Sequence, residues 1–255
     1  MIMQGEIKKS IENFIKEYNI KKEIKTKWRE PVIAFANAKD PIFLDLKKIV
    51  DENHKLPIEL LKEAKMVITY FIPFNDKVVV NNSTGKIASK DWAIAIIGTN
   101  KLILDLNRFL SNILKEKSFD SVEIPPTHNF EKKKLVSYWS HKHVAYIAGL
   151  GKFGLHKMLI TENGCCGRLG SLITSAKITA TKRSKEEYCL FFHNQSCKQC
   201  IIKCAFNALA IDSFDRHKCY NICLNNGKRY SMLGLSDICG KCACGVPCSI
   251  KNPCK

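Results

Sequence analysis

Ile7, Ile11, Phe14, Ile15 and Tyr18 recur three or four residues apart, so the chain opens on an amphipathic helix. The unbroken apolar run Met66-Val-Ile-Thr-Tyr-Phe-Ile72, stopped by Pro73, reads as a buried strand, and Lys77-Val-Val-Val80 as a second, short one. Residues 86–98 and 101–117 follow a helical period. The second stretch carries Leu102, Leu106, Phe109, Leu110, Ile113 and Leu114 on one stripe, after the cap candidates Thr99 and Asn100. Pro125-Pro126 marks a loop, and Ser140 caps a predicted helix through Ala148 that Gly149 and Gly151 terminate. Strand-like composition returns from Ser171 to Ala180.

Helices and strands therefore alternate through the first part, which predicts an α+β class with an α/β layer over residues 1–184. The charged run Thr181-Lys-Arg-Ser-Lys-Glu-Glu187 marks the boundary to a second part, residues 185–255. No internal repeat or low-complexity linker is present.

Eleven of the thirteen cysteines fall in that second part. So short a segment buries little core and needs a staple: disulfide, metal or cluster. The first twenty residues are charged and amphipathic and lack the apolar stretch of a signal peptide. No run approaches the ~18 apolar residues that span a bilayer. A cytoplasmic location follows as an expectation, and in a reducing compartment clustered thiols bind metal more often than one another. The net charge of +17 favours a polyanionic partner such as RNA. Only six of the 41 basic residues are arginine, however, and the planar fork suited to phosphate is scarce.

The densest run, Cys197-Lys-Gln-Cys200-Ile-Ile-Lys-Cys204, has the C-x2-C-x3-C spacing of a ferredoxin motif, whose near cysteines hold one [4Fe-4S] cube while the last reaches a second. Asn194 stands where one more cysteine is usual, and Cys189 substitutes. The second run is Cys239-Gly-Lys-Cys242-Ala-Cys244-Gly-Val-Pro-Cys248, with Cys219 and Cys223 between the two. The expected partition puts Cys189, Cys197, Cys200 and Cys248 on one cube, and Cys204, Cys219, Cys239 and Cys242 on the other. Cys223, Cys244 and Cys254 are reserves. The C-x2-C pairs also allow, as a competing alternative to the cubes, one or two four-cysteine zinc sites, which would make the chain a zinc-binding adaptor. Neither run carries the usual Cys-Pro step: Ala205 follows Cys204, and Pro247 precedes Cys248.

A glycine segment, His143-Val-Ala-Tyr-Ile-Ala-Gly-Leu-Gly-Lys-Phe-Gly-Leu-His156, precedes Gly164-Cys-Cys-Gly-Arg-Leu-Gly-Ser-Leu-Ile-Thr174. Glycines at 149, 151 and 154 let a backbone approach a flat ligand, yet the spacing lacks the preceding strand of a dinucleotide site. Together with the cysteine runs, this order of motifs resembles the cobalamin-dependent epoxyqueuosine reductases over roughly residues 60 to 250, and more distantly the reductive dehalogenases. The resemblance implies a nitroreductase-like α/β layer that cradles a corrinoid, followed by a small ferredoxin-like domain whose two [4Fe-4S] clusters feed it electrons. It implies reduction of a modified base in tRNA, and a flavodoxin- or ferredoxin-type electron donor. Gly149, Leu150, Gly151, Gly154 and His156 would line the corrinoid face, with Gly170 and Thr174 on the next strand.

The chain departs from the family in two places. It has no carboxylate from Lys132 through Thr161, where the family carries its proposed proton donor, which leaves Tyr146, His141 and His143 as substitutes. It also stops at Lys255, short of the family's C-terminal helical-repeat region. Those two departures favour an alternative, a ferredoxin-type electron carrier whose first domain holds no corrinoid, or a flavin. Cys165 and Cys166 read as two small half-buried residues in a turn, or as a redox or corrinoid contact beside Arg168.

Overall fold

The computed structural model describes residues 3–127 and 129–255. Helix α1 (Gln4–Ile20) leads to strand β1 (Val32–Asn37), helix α2 (Ile42–Ile49), the single turn α3 (Pro57–Leu60), strand β2 (Met66–Pro73), helix α4 (Asp76–Asn81), the long helix α5 (Lys90–Glu116) and strand β3 (Ser121–Glu123). Two small hairpins, β4 (Phe130–Glu131) with β5 (Val136–Ser137) and β6 (Gly151–Phe153) with β7 (Leu159–Thr161), flank helix α6 (His141–Ile147). Strand β8 (Gly167–Thr174) then returns to the main sheet. Helices α7 (Leu190–Asn194), α8 (Gln199–Ile202) and α9 (Arg216–Arg229) carry the cysteine-rich part.

The main sheet is antiparallel, in the order β1-β2-β8-β3. Strand β2 is buried at all eight positions, as its apolar run predicts. Side chains alternate across a strand, so Ile68, Tyr70 and Ile72 join α1 and α5 in one core cluster, while Val67 and Phe71 join α2 and α6 in the other. Helices thus cover both faces, and the class is mixed α and β. On the α5 side, Tyr70 Oη donates to Asn107 Oδ1 at 2.7 Å, and Asn107 Nδ2 donates to the carbonyls of Ile124 and Ser171, both at 3.3 Å. One fully buried amide therefore ties α5 to β2, to β8 and to the segment after β3.

Three expectations need correction. Lys77–Val80 is helical, within α4: Asn75 accepts from the Lys77 amide as a cap, and Val78 and Val79 are buried, so packing overrides the strand preference of a valine run. Residues 86–98 and 101–117 do not form two helices; α5 runs unbroken from Lys90, capped by Ser89. Thr99 and Asn100 therefore lie mid-helix. Thr99 Oγ1 donates back to the Ala95 carbonyl and accepts the Trp28 indole N–H at 2.7 Å, which satisfies the hydroxyl inside the helix. Cys165 and Cys166 are not half-buried but 3% and 0% exposed.

The cysteine-rich part is bolted to the sheet-bearing part. The amides of Cys165 and Cys166 donate to the carbonyls of Cys248 and Ser249 at 2.9 and 3.0 Å. Asn82 Nδ2 donates to the Cys239 carbonyl at 2.9 Å, and the ammonium of Lys241, 3% exposed, donates to the carbonyls of Asn82 and Thr84. Gly240 lies under the Trp92 ring, where a Cβ would come within 2.4 Å of it, at a φ of +71°. One apolar cluster accordingly runs from Ile7 to Cys244 across residue 185.

Asn107→Ala strands the Tyr70 hydroxyl and two carbonyls in the core. At about 1–3 kcal/mol for each unsatisfied buried group, a loss of roughly 3 kcal/mol or more is expected in urea unfolding, with Tyr70→Phe costing less.

Candidate metal centre and adjoining cavity

All thirteen cysteines are free thiols. Cys189, Cys197, Cys200 and Cys248 line one small cavity of about 20 Å³ with Leu155 and His156. Cys204, Cys219, Cys239 and Cys242 line a second, of about 220 Å³, with Cys223 and Cys165 also on its wall. The structure thus brings together each of the two predicted sets. Cys219 and Cys223 lie four residues apart on α9, one turn of a common face, a spacing already visible in the sequence. Of the reserves, Cys223 hydrogen-bonds Cys219. Cys244 lines neither cavity: it is fully buried 3.7 Å from Cys166 Sγ and receives Asn82 Nδ2 at 3.4 Å. Cys254 also lies off both walls.

Burial, then the thiols of Cys248, Cys189 and Cys197, pushes Cys200 up to about 12. Burial, then Cys239, Cys219 and Cys204, pushes Cys242 up as well. Four thiols around one space are the donor set of a cube or a tetrahedral ion, and a bound cation would reverse the upward shifts of Cys200 and Cys242 by stabilising thiolate.

His156, expected on a corrinoid face, instead stands on the walls of both thiol-lined cavities. The Met158 amide donates to its Nδ1 at 3.1 Å, so Nδ1 is an acceptor and the ring proton sits on Nε2. Nε2 lies 3.3 Å from Cys248 Sγ and donates to it. Cys165 Sγ completes a trio with these two residues, all within 4.8 Å.

A third cavity, about 280 Å³, opens beside the larger thiol-lined one and shares Met158, Cys165, Gly167 and Arg168 with it. Of the three predicted proton donors only His141 lines it. Trp139 Nε1 donates to Ser171 Oγ, whose hydroxyl is then free to donate to His141 Nδ1 at 2.9 Å, while His141 Nε2 donates to the Pro125 carbonyl at 2.9 Å. Both ring nitrogens are engaged, and burial holds His141 down to about 4, neutral at ordinary pH. His143 is likewise held near 4 by burial; its Nδ1 pairs with Ser140 Oγ at 2.7 Å and its ring packs on Phe153. Tyr146 lies elsewhere, beside Gly149, Gly151 and Lys152 in a crevice of about 10 Å³.

The remaining residues assigned to a corrinoid pack against their own chain. The space a Cβ would occupy is taken at Gly151 by the Ile160 carbonyl, at Gly154 by the His156 ring, at Gly170 by the Tyr70 ring and at Gly149 by Arg183. Leu150 is buried in the core, and Thr174 is buried with its hydroxyl on the Asp120 carbonyl. Sequence reading passed over Trp139 and Lys142, which line the third cavity beside His141, Cys165 and Arg168, because no motif spacing marks them.

No protein-family model matches the sequence, and no curated protein sequence does either. Solved structures do. An epoxyqueuosine reductase from Streptococcus thermophilus superposes with a TM-score of 0.57 at 19% identity, over 97% of this chain and 68% of that one. The fold is that of the epoxyqueuosine reductases. The Bacillus subtilis enzyme gives 0.54 at 16% identity, over 93% of this chain and 64% of that one. A catabolic reductive dehalogenase gives 0.59 at 14% identity, over 86% and 30%. The chain spans about two thirds of the reductases it matches and under a third of the dehalogenase. Among the described residues no helix is long and apolar enough to cross a membrane.

The depressed histidines set a pH dependence. An unfolded chain takes up protons near pH 6.5 that folded His141 and His143 accept only near 4, so stability falls as pH drops through that window. For His141 the shift corresponds to at most about 3 kcal/mol. The urea midpoint is expected to fall between pH 7 and 4.5, and to fall less in His141→Gln.

Proposed function

We propose that the chain is an iron–sulfur oxidoreductase in which two [4Fe-4S] clusters are held by Cys189, Cys197, Cys200 and Cys248 and by Cys204, Cys219, Cys239 and Cys242, and pass single electrons to a molecule in the third cavity. What carries the reading is the convergence of each cysteine set on its own cavity. The clusters supply one-electron chemistry; the chain supplies their thiolates, their shielding and their spacing. His156, donating to Cys248 Sγ, stabilises negative charge on that sulfur and so tunes the neighbouring cluster toward higher potential. Met158, Cys165, Gly167 and Arg168 form the partition across which an electron reaches the third cavity. A flavodoxin- or ferredoxin-type donor is the partner this reading requires.

A corrinoid is not part of it. The Cβ side of each glycine assigned to that group is taken up by neighbouring atoms of the chain, and 280 Å³ lies below the ~300–1,000 Å³ typical of pockets for much smaller ligands. One similar structure is of an epoxyqueuosine reductase with a tRNA stem loop. A tRNA partner for this chain is supported by the net charge of +17 and by nothing in the cavity geometry.

The smaller thiol-lined cavity gives a second reading its specific support, since about 20 Å³ accommodates a single tetrahedral ion more readily than a cube. Metal analysis of anaerobically purified protein decides between them. About eight Fe per chain, with an EPR signal after dithionite reduction, is expected. About four Fe with one zinc assigns the small cavity to zinc, and iron-free protein overturns the redox function. Titration of hydroxocobalamin into protein with intact clusters is expected to leave the corrinoid spectrum unchanged; a stoichiometric shift restores the corrinoid.

A further inference from the structure

The third cavity contains an unusual charge arrangement. Arg168 and Lys142 line it, and no Asp or Glu does. Arg168 Nη2 donates to the Pro126 carbonyl at 2.9 Å, but Nε is sealed from solvent with no hydrogen-bond acceptor. Lys142 Nζ donates to the Lys157 carbonyl at 3.1 Å. Among the described residues neither cation forms an ion pair with a carboxylate. Asp237, on the far wall of the larger thiol-lined cavity, is the acid whose charge Arg168 feels. Burial depresses both cations, Arg168 to about 10, and a guanidinium so placed costs stability unless an anion accompanies it.

We infer that the third cavity is a binding site for a small carboxylate, its carboxyl group held by Arg168 with Lys142 adding charge, and its apolar body lying against Trp139, Phe71 and Leu159. The inference rests on the redox reading and names the class of molecule that the third cavity beside the thiol-lined ones would bind. A planar guanidinium offers several N–H donors to a carboxylate, where an ammonium offers a point charge. Around that guanidinium the wall is aromatic and aliphatic, suited to a hydrocarbon or aryl body, and a volume of about 280 Å³ limits the ligand to a small molecule. The competing account makes the cluster beside Cys219 and Cys242 the counter-charge for both cations, Lys142 being within electrostatic reach of those thiols.

Calorimetric titration of the cluster-loaded protein separates the two accounts. The probes are benzoate, phenylacetate and 3-phenylpropionate, each paired with its neutral amide. At least one acid is expected to bind ten-fold or more tightly than its amide. Arg168→Gln is expected to lose ten-fold or more of that affinity, Arg168→Lys to keep part of it, and Lys142→Met to lose less. No binding by any of the three acids, equal binding of acid and amide, or an acid affinity untouched by Arg168→Gln overturns the inference. Should Arg168→Gln not fold, the acid–amide comparison on the unaltered protein and Lys142→Met decide. With about eight Fe and the EPR signal intact, failure to bind removes the carboxylate site alone. Acid binding by iron-free protein removes the redox function alone.

Discussion

The pairing of the Cys165 and Cys166 amides with the carbonyls of Cys248 and Ser249 is the join on which the rest of the arrangement depends. It lays the end of the second cysteine run against the segment that becomes β8, the strand beside the buried centre of the sheet. From that join the smaller thiol-lined cavity gains Cys248, the larger gains Cys165, and the third gains Cys165, Gly167 and Arg168. Asn82, Lys241 and the contact of Gly240 with Trp92 secure the other end of the same run. The two thiol-lined cavities therefore sit along one seam between the sheet-bearing and cysteine-bearing parts, and the third, lined by the sheet-bearing part alone, adjoins the larger of them.

Much of this was legible in the sequence where the signal is local. The period of α1 and the apolar run of β2 reflect faces buried by neighbours that any arrangement of layers would supply. Neighbouring cysteines such as Cys197 with Cys200 and Cys239 with Cys242 share a wall because they are close in the chain, whereas the approach of Cys248 to Cys200 and of Cys204 to Cys239 is tertiary. What was missed depends on tertiary partners. Val78 and Val79 favour a strand in isolation and become helical because α5 packs on them. Thr99 passes for a cap until Trp28 and the Ala95 carbonyl claim its hydroxyl. Strand β1, with the short apolar run Val32-Ile-Ala-Phe-Ala36, pairs along its whole length with β2.

The glycine segment teaches a different lesson. Each of its glycines is required by the chain itself: Ile160, His156 and Arg183 occupy the spaces that a side chain at 151, 154 or 149 would need. Likewise His141 and His143 have the right chemistry for proton transfer and the wrong surroundings, their nitrogens engaged by hydroxyl and carbonyl groups and their charged forms disfavoured by burial. Residue type proposes a role; the hydrogen-bond partners of each nitrogen decide whether it is free to perform one.

The fourth thiol of the smaller cavity comes from Cys248, far along the chain from Cys189, Cys197 and Cys200. Those three leave the ribosome before Cys248 and by themselves supply three of the four thiols of that wall. Closure comes after the ribosome has released the residues around Pro247 and they have settled on Cys165. A metal taken up by this pocket would gain its fourth thiol only once the C-terminal segment had docked, so its retention would report that docking.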